Sequence, residues 1–461
     1  MKTLSTFILL LFSNFLIAQH STSLTKAELL DSLLQESHRR GIFNGNALVA
    51  ENGKVIYHRA VGQADASGNK PLNTEARFNI GSVSKEFDGT GIMILKEEGR
   101  LSLDDRLSAF FPQLPEWADA ISVKNLLQYS SGIPNPDYNN VRTDAEVWQY
   151  LKGLRELKFD PGSEYVYNNT NVFLRKRIIE KVSGMSYAAF VETRMLRPCG
   201  MRNTVIDPSE ETPRFTRSFD EAFVQDDLDT YMSGWIATTT EDLFKWVKCL
   251  NSGKLISSES LAELSESLNP SVQSPLGHSV YDKGNLQIRY HHGQSDNFEA
   301  LMAWIPDPGY TIILLTNNRC NELGDHINAI DAILRGNEFQ IPKRSIELSL
   351  RAKIFHEGYD SGIDFLKEIR KNQSDIFNFE QEEEELLETG EWLLQMDRQE
   401  EGMKIFEYTA ARFPNSVRAY LELAKAHEDA GHDQMALKNY RKVQELEPEN
   451  ELAAEKLQQL E

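Results

Sequence analysis

The chain has 461 residues, 40% hydrophobic and 26% charged, with 49 Lys and Arg against 70 Asp and Glu, a formal net charge of −21. That length exceeds what one core usually holds, so two or more domains are expected, one large enough to bury an active site. The excess is uneven, with 27 acidic against 14 basic residues from Ser345 onward, and the lack of any basic face to neutralise phosphates excludes nucleic acid as a partner.

Residues 1–18 place Lys2 before an apolar run from Phe7 to Ala18, the pattern of a signal peptide and too short to cross a bilayer. The expectation is an exported chain, periplasmic or secreted in a bacterium, with no membrane span once the leader is removed. From Gly45 to Gly62 the alternation and the turn Glu51-Asn-Gly-Lys54 predict a hairpin. Helical periodicity follows from Ser82 to Glu98 and is ended by Gly99. Further helices are predicted at Asn171–Val182 and Thr240–Asn251, strands at Leu286–His291, Asn297–Trp304 and Thr311–Thr316, and a helix at Glu322–Leu334. Strands at both ends with helices between predict an α+β domain over 19–340, in which one antiparallel sheet is assembled from both chain ends around an inserted helical lobe.

The character changes at Gln340-Ile-Pro-Lys-Arg344, and 345–461 reads as an all-α unit. Aligning Pro414 with Pro448 superposes Phe406 on Tyr440 and Gly390 on Ala424, a 34-residue period resembling a tetratricopeptide repeat. Helices at Leu348–Arg370 are expected to stack with these copies as a degenerate third. Cys199, Cys249 and Cys320 have no framework spacing and read as small buried hydrophobes. No metal-ligand spacing is present, and no metal or cofactor is expected.

A hydrolase without metal needs an activated nucleophile, and Ser-x-x-Lys at a helix start sets hydroxyl and amine on one face. The pattern occurs at Ser23/Lys26, Ser67/Lys70 and Ser82/Lys85. Ser23 adjoins the leader and Ser67 lies in a turn-rich string; Ser82 alone precedes a long apolar helix. Phe78-Asn-Ile-Gly-Ser-Val-Ser-Lys85 is followed by Asn125-Leu-Leu-Gln-Tyr-Ser-Ser-Gly132, Pro161-Gly-Ser-Glu-Tyr-Val-Tyr-Asn-Asn169, Leu196-Arg-Pro-Cys-Gly-Met201 and Asn297-Phe-Glu-Ala-Leu-Met-Ala-Trp-Ile-Pro306. In that order, from about Phe43 to Leu334, these strings resemble the serine hydrolases of the class C β-lactamase and penicillin-binding-protein superfamily, which includes D-peptidases and esterases.

The resemblance implies Ser82 as nucleophile with Lys85 beside it, and a Tyr-x-Asn element carried to Tyr167 and Asn169. There a phenol of lowered pKa would shuttle protons, and the Asn169 amide would bond Lys85 and the substrate carbonyl. The family's third element, Lys-Thr-Gly or His-x-Gly, falls at His291-His-Gly293. His291 becomes the third catalytic side chain, with His292 on the opposite strand face. Gly293 leaves the strand edge open to substrate, and the Gln294 amide joins that of Ser82 as oxyanion hole. Ser295-Asp-Asn297 spells a class A motif, but its place after the third element rejects it. Where many relatives carry glycines, Asp296 and Asn297 stand, and a carboxylate there is unfavourable to acidic substrates.

The implied activity is hydrolysis of amide or ester bonds through an acyl-serine, on small peptides, cell-wall-derived ones included, or esters. Without a Lys-Thr-Gly lysine to anchor a substrate carboxylate, peptidase or esterase action is preferred over efficient β-lactamase action. The competing reading is a catalytically weak or inactive module whose repeat tail binds or senses a protein partner.

Overall fold

The computed structural model describes residues 24–138, 140–228, 232–319 and 323–460. The leader, residues 1–18, and Cys320 lie outside the described residues. Strands β1 (Gly45–Glu51) and β2 (Lys54–Val61) form the predicted hairpin, and β7 (Asn285–Ser295), β8 (Phe298–Ile305) and β9 (Tyr310–Thr316) form a meander preceded by β6 (His278–Asp282). Their order is β2-β1-β9-β8-β7-β6, every pair antiparallel, with Gly45 of β1 opposite Thr316 of β9. The sheet is therefore built from both ends of the domain, as the α+β reading expects. A small sheet of β3 (Phe78–Asn79), β4 (Val205–Ile206) and β5 (Ile236–Thr238) lies inside the insertion.

Both faces of β1 and β9 are covered, which explains their unbroken apolar runs. On the outer face Ala47, Val49, Ile312 and Leu314 meet Leu30, Leu33 and Leu34 of α1 (Lys26–Arg39) and Ile330 and Ile333 of α6 (Leu323–Arg335). On the inner face Leu48, Ala50, Ile313 and Leu315 join the larger core, with Phe87 and Ile92 of α2 (Lys85–Glu97) and Trp246 and Leu250 of α5 (Thr240–Asn251). The remaining long helices of the insertion are α3 (Asp144–Gly153) and α4 (Asn169–Ser183). Helix α2 is buried along nearly its whole length, so any charge it carries must be satisfied inside the protein.

The cysteine reading needs correction. Cys199 and Cys249 form a disulfide with Cα atoms 5.6 Å apart, joining the Pro-Cys-Gly turn to the buried face of α5. The two contexts are 50 residues apart and carry no mutual signal in the sequence.

After α6, residues 336–345 contain no helix and only a single bridge, Arg344 to Phe377. Seven helices follow: α7 (Ile346–Glu357), α8 (Tyr359–Asn372), α9 (Glu382–Gln395), α10 (Gln399–Arg412), α11 (Val417–Asp429), α12 (Asp433–Leu446) and α13 (Glu451–Leu460). Helices α10 and α12 start 34 residues apart, at 399 and 433. In both pairs a small residue meets an aromatic one: a methyl on Gly390 would strike the Phe406 ring, and Ala424 shares a cluster with Tyr440.

Candidate active site

Ser82 lies in a 3-10 turn, Gly81–Ser84, that leads directly into α2. This tight start sets its hydroxyl at the mouth of a cavity of about 600 Å³, lined also by Asn79, Lys85, Tyr167, Asn169, Trp235 and Gln294. Lys85 Nζ is 2.7 Å from Ser82 Oγ, and Tyr167 donates its hydroxyl to the same oxygen at 2.8 Å. The phenol thus reaches the nucleophile across 85 residues of chain and meets the amine at one hydroxyl.

Lys85 is 1% exposed and has no carboxylate within ion-pair distance among the described residues. Burial pulls its pKa down to about 7, the attraction of Asp88 recovering only part and Arg175 opposing it. Its amine rests against the rings of Tyr167 and Trp235, at 4.7 and 5.2 Å from their centroids. Tyr167 goes the other way from the sequence expectation: burial pushes its pKa up to about 12, only partly offset by the bond to Ser82. The phenol keeps its proton at neutral pH, and the amine is the group poised to lose one.

Tyr167 is held by the segment that follows Asn125. Val166 N donates to Tyr129 O (2.9 Å), Gly162 N to Ser130 O (2.7 Å), and the Tyr129 and Tyr167 rings lie 5.0 Å apart. Asn168 caps α4 through Thr170 N (2.6 Å) and ties back to Ile133 O (2.6 Å). Asn169 lines the cavity, but its Oδ1 is buried without a hydrogen-bond partner, and no bond to Lys85 is formed.

On the opposite wall β7 packs against the nucleophile turn. A Cβ on Gly293 would lie 2.2 Å from Ile80 O and 2.8 Å from Ser82 N; one on Gly81 would lie 2.6 Å from Gln294 N. The two glycines permit this backbone contact, which brings the Gln294 amide beside that of Ser82.

A family model described as Beta-lactamase matches residues 27–334. The chain belongs to the beta-lactamase family. Within it, penicillin-binding protein 4* of Bacillus subtilis (strain 168) is 27% identical over 368 residues, covering 71% of this chain and 80% of its own. The octameric penicillin-binding protein homologue from Pyrococcus abyssi superposes with a TM-score of 0.59 at 23% identity, over 67% of this chain and 77% of that one. D-amino acid amidase from Ochrobactrum anthropi SV3, complexed with L-phenylalanine, does so at 0.58 and 20% identity, over 68% and 98%. At these identities the two structures attest the shared beta-lactamase fold.

One expected member of this beta-lactamase-family site is elsewhere. His291 is 2% exposed, its Nδ1 3.1 Å from Glu86 Oε1, and it does not border the cavity. Alternation puts it on the nucleophile side as expected, but Gly293 already sits over Ser82. Two residues back along a strand is about 7 Å, which carries the imidazole past the hydroxyl to the next turn of α2. There Glu86 also accepts from Trp246 Nε1 at 2.7 Å. His292 faces the other side, 2.7 Å from Glu299. Residues to which the motifs gave no role complete the wall. Asn79 accepts from Gly81 N (2.9 Å) and donates to Ser295 Oγ (3.3 Å), bracing the turn against β7. Trp235, just before β5, covers Lys85, and no sequence motif singled it out.

Proposed function

We propose that this family member is an exported serine hydrolase of the D-peptidase or esterase type, cleaving amide or ester bonds through an acyl-Ser82 intermediate. The observation that carries the reading is the approach of Lys85 Nζ and Tyr167 OH to one hydroxyl, at 2.7 and 2.8 Å, with the lysine pKa near 7. The neutral amine of Lys85 takes the Ser82 proton as Oγ attacks the carbonyl carbon. Backbone amides of Ser82 and Gln294 receive the oxyanion, a contribution of about 3 kcal/mol per donor. Tyr167, still protonated, steadies Oγ and relays the proton to the leaving group; Asn169, in the cavity lining, donates its amide N–H to the substrate carbonyl. Water then attacks the acyl-serine and returns the proton to Ser82.

Peptide and ester substrates are favoured over β-lactams because strand β7 gives the cavity no cation for a substrate carboxylate, His291 being turned to Glu86. Export is supported by the charge and apolar pattern of residues 1–18. The 34-residue offset of α10 and α12 supports a tetratricopeptide-like tail with a protein partner.

The test is labelling with a fluorophosphonate or a fluorescent penicillin, with turnover of D-peptides, short-chain esters and nitrocefin. Wild type labels and Ser82→Ala does not; equal labelling of both removes Ser82 from the mechanism.

A further inference from the structure

The cavity around Ser82 is acidic in a way that the acyl-serine chemistry does not use. Asp144, Asp207 and Asp296 all line it. Two of them are engaged by the protein: Asp144 pairs with Arg177 at 3.0 Å and accepts from Ser233 Oγ (2.7 Å) and N (3.0 Å), while Asp207 accepts from Gly234 N at 2.5 Å. Asp296 is different. Among the described residues its carboxylate makes no hydrogen bond and no ion pair within 4 Å, and it stands exposed to the cavity. Among the described residues that line the cavity, Lys85 is the one cation, and it is sealed at the nucleophile.

The position of Asp296 is fixed. It lies at φ +50° in the turn between β7 and β8, two residues beyond the oxyanion amide of Gln294. Its neighbours hold that turn: Asn297 donates from N (3.2 Å) and Nδ2 (3.0 and 3.1 Å) to Asp226, and Asn79 donates to Ser295 Oγ. A side chain at positive φ is costlier than glycine, and here that side chain is a carboxylate in the wall of the cavity that holds Ser82. Although the carboxylate is open to the cavity, desolvation by the surrounding walls and the nearby Asp226 raise its pKa to about 6, against the attraction of Arg142. The attraction of Arg142 is outweighed, so the protein compensates this carboxylate only in part, and a cationic ligand can supply the rest.

Building on the hydrolase reading above, we infer that Asp296 is a specificity determinant that receives a protonated amine of the substrate, so that the enzyme prefers aminoacyl amides and esters with a free ammonium group over N-acylated or carboxylate-bearing analogues. The ammonium forms a charge-assisted hydrogen bond with the Asp296 carboxylate while the adjacent carbonyl occupies the oxyanion site. An anionic substituent at the same place is repelled by the Asp296 carboxylate.

Three matched p-nitroanilides and methyl esters test this: D-alanyl, N-acetyl-D-alanyl and N-succinyl-D-alanyl, each with wild type, Asp296→Asn and Asp296→Lys, at pH 7.5. Asparagine keeps the shape and tolerates the turn's φ. The wild-type ratio of kcat/KM for the free amine over the acetylated compound is expected at roughly 10- to 100-fold, from the usual strength of hydrogen bonds to charged groups. Asp296→Asn collapses that ratio towards one, and Asp296→Lys shifts preference to the succinyl compound. The proposal is overturned if wild type treats amine and acetyl alike, cleaves neither while still hydrolysing p-nitrophenyl acetate, or keeps its ratio in Asp296→Asn. Failure of the hydrolase reading has its own signature: p-nitrophenyl acetate cleaved equally by wild type and Ser82→Ala, or by neither.

Discussion

Lys85, in the cavity wall, and Arg175, in the helical layer behind it, are both fully buried cations, and the fold treats them in opposite ways. Arg175 is met by Asp88, by Leu126 O at 2.8 Å and by the Tyr129 hydroxyl at 3.3 Å. Burial lowers its pKa, but the Asp88 carboxylate and then Tyr129 outweigh that and hold it above its ordinary value. Lys85 has the Ser82 hydroxyl and two aromatic faces, and burial wins. Burial alone does not decide whether an interior group is structural or reactive; the supply of opposite charge does. The region around Arg175 is a fixed ion pair that braces α2 against α4, whereas the region around Lys85 is left uncompensated and holds a base.

The comparison breaks most visibly at Lys85. Lys85→Met is expected to lower kcat/KM by roughly 10²–10⁴-fold, the usual contribution of a positioned base, while thermal stability holds or rises, because an unpaired buried amine is replaced by a thioether. In wild type the working form is the neutral amine. Below about pH 7 it is protonated, so kcat/KM falls as pH drops through that value and levels off above it. A pH profile with no inflection between 6 and 8 would contradict this.

Removing the partner of the other cation acts on stability first. Asp88→Asn strips Arg175 of its counter-ion and is expected to cost about 3–5 kcal/mol, the range for a broken buried pair, read by chemical denaturation. Asp88 also raises the Lys85 pKa, so the surviving activity should show its inflection displaced to lower pH. Unchanged stability would mean that Leu126 O and Tyr129 suffice for the guanidinium.

The sequence announced what is local. Ser82 and Lys85 three residues apart on one helix start, Tyr167 ahead of a helix, and the alternation of β7 are readable because short-range geometry sets them. Sheet assembly from both ends was also legible, since β-prone runs flank a helical middle. What depended on pairing across the chain was not. His291 has the right face, yet its reach is decided by how far Gly293 has slid along the nucleophile turn. Tyr167 has the right place, yet its pKa follows from enclosure among Tyr129, Lys85 and α4, which no motif encodes. Cys199 and Cys249 meet only because a turn and α5 pack together, and Trp235 gives no warning that it will roof Lys85.

A third buried charge extends the comparison to the tail, with the smallest expected effect. Glu221, on the loop before the cavity wall, has a side chain only 6% exposed, and it pairs with Arg344 at the junction leading to α7. Burial still leaves its pKa raised in spite of Arg344, so this pair is compensated less fully than Asp88 and Arg175. On the same loop Asp220 contacts His356 of α7, and Asp226 holds Asn297 in the turn that presents Asp296. The tail thus reaches the cavity wall through hydrogen bonds and loop backbone. Arg344→Ala is expected to cost about 1.5–3 kcal/mol, the scale of a hydrogen bond to a charged group. By loosening the turn it should also raise KM for cavity-filling peptides roughly two- to fivefold with kcat nearly constant, a coupling of modest size. If KM stays fixed while stability falls, the brace ends at Glu221 and the repeats influence the catalytic unit only by holding on to it.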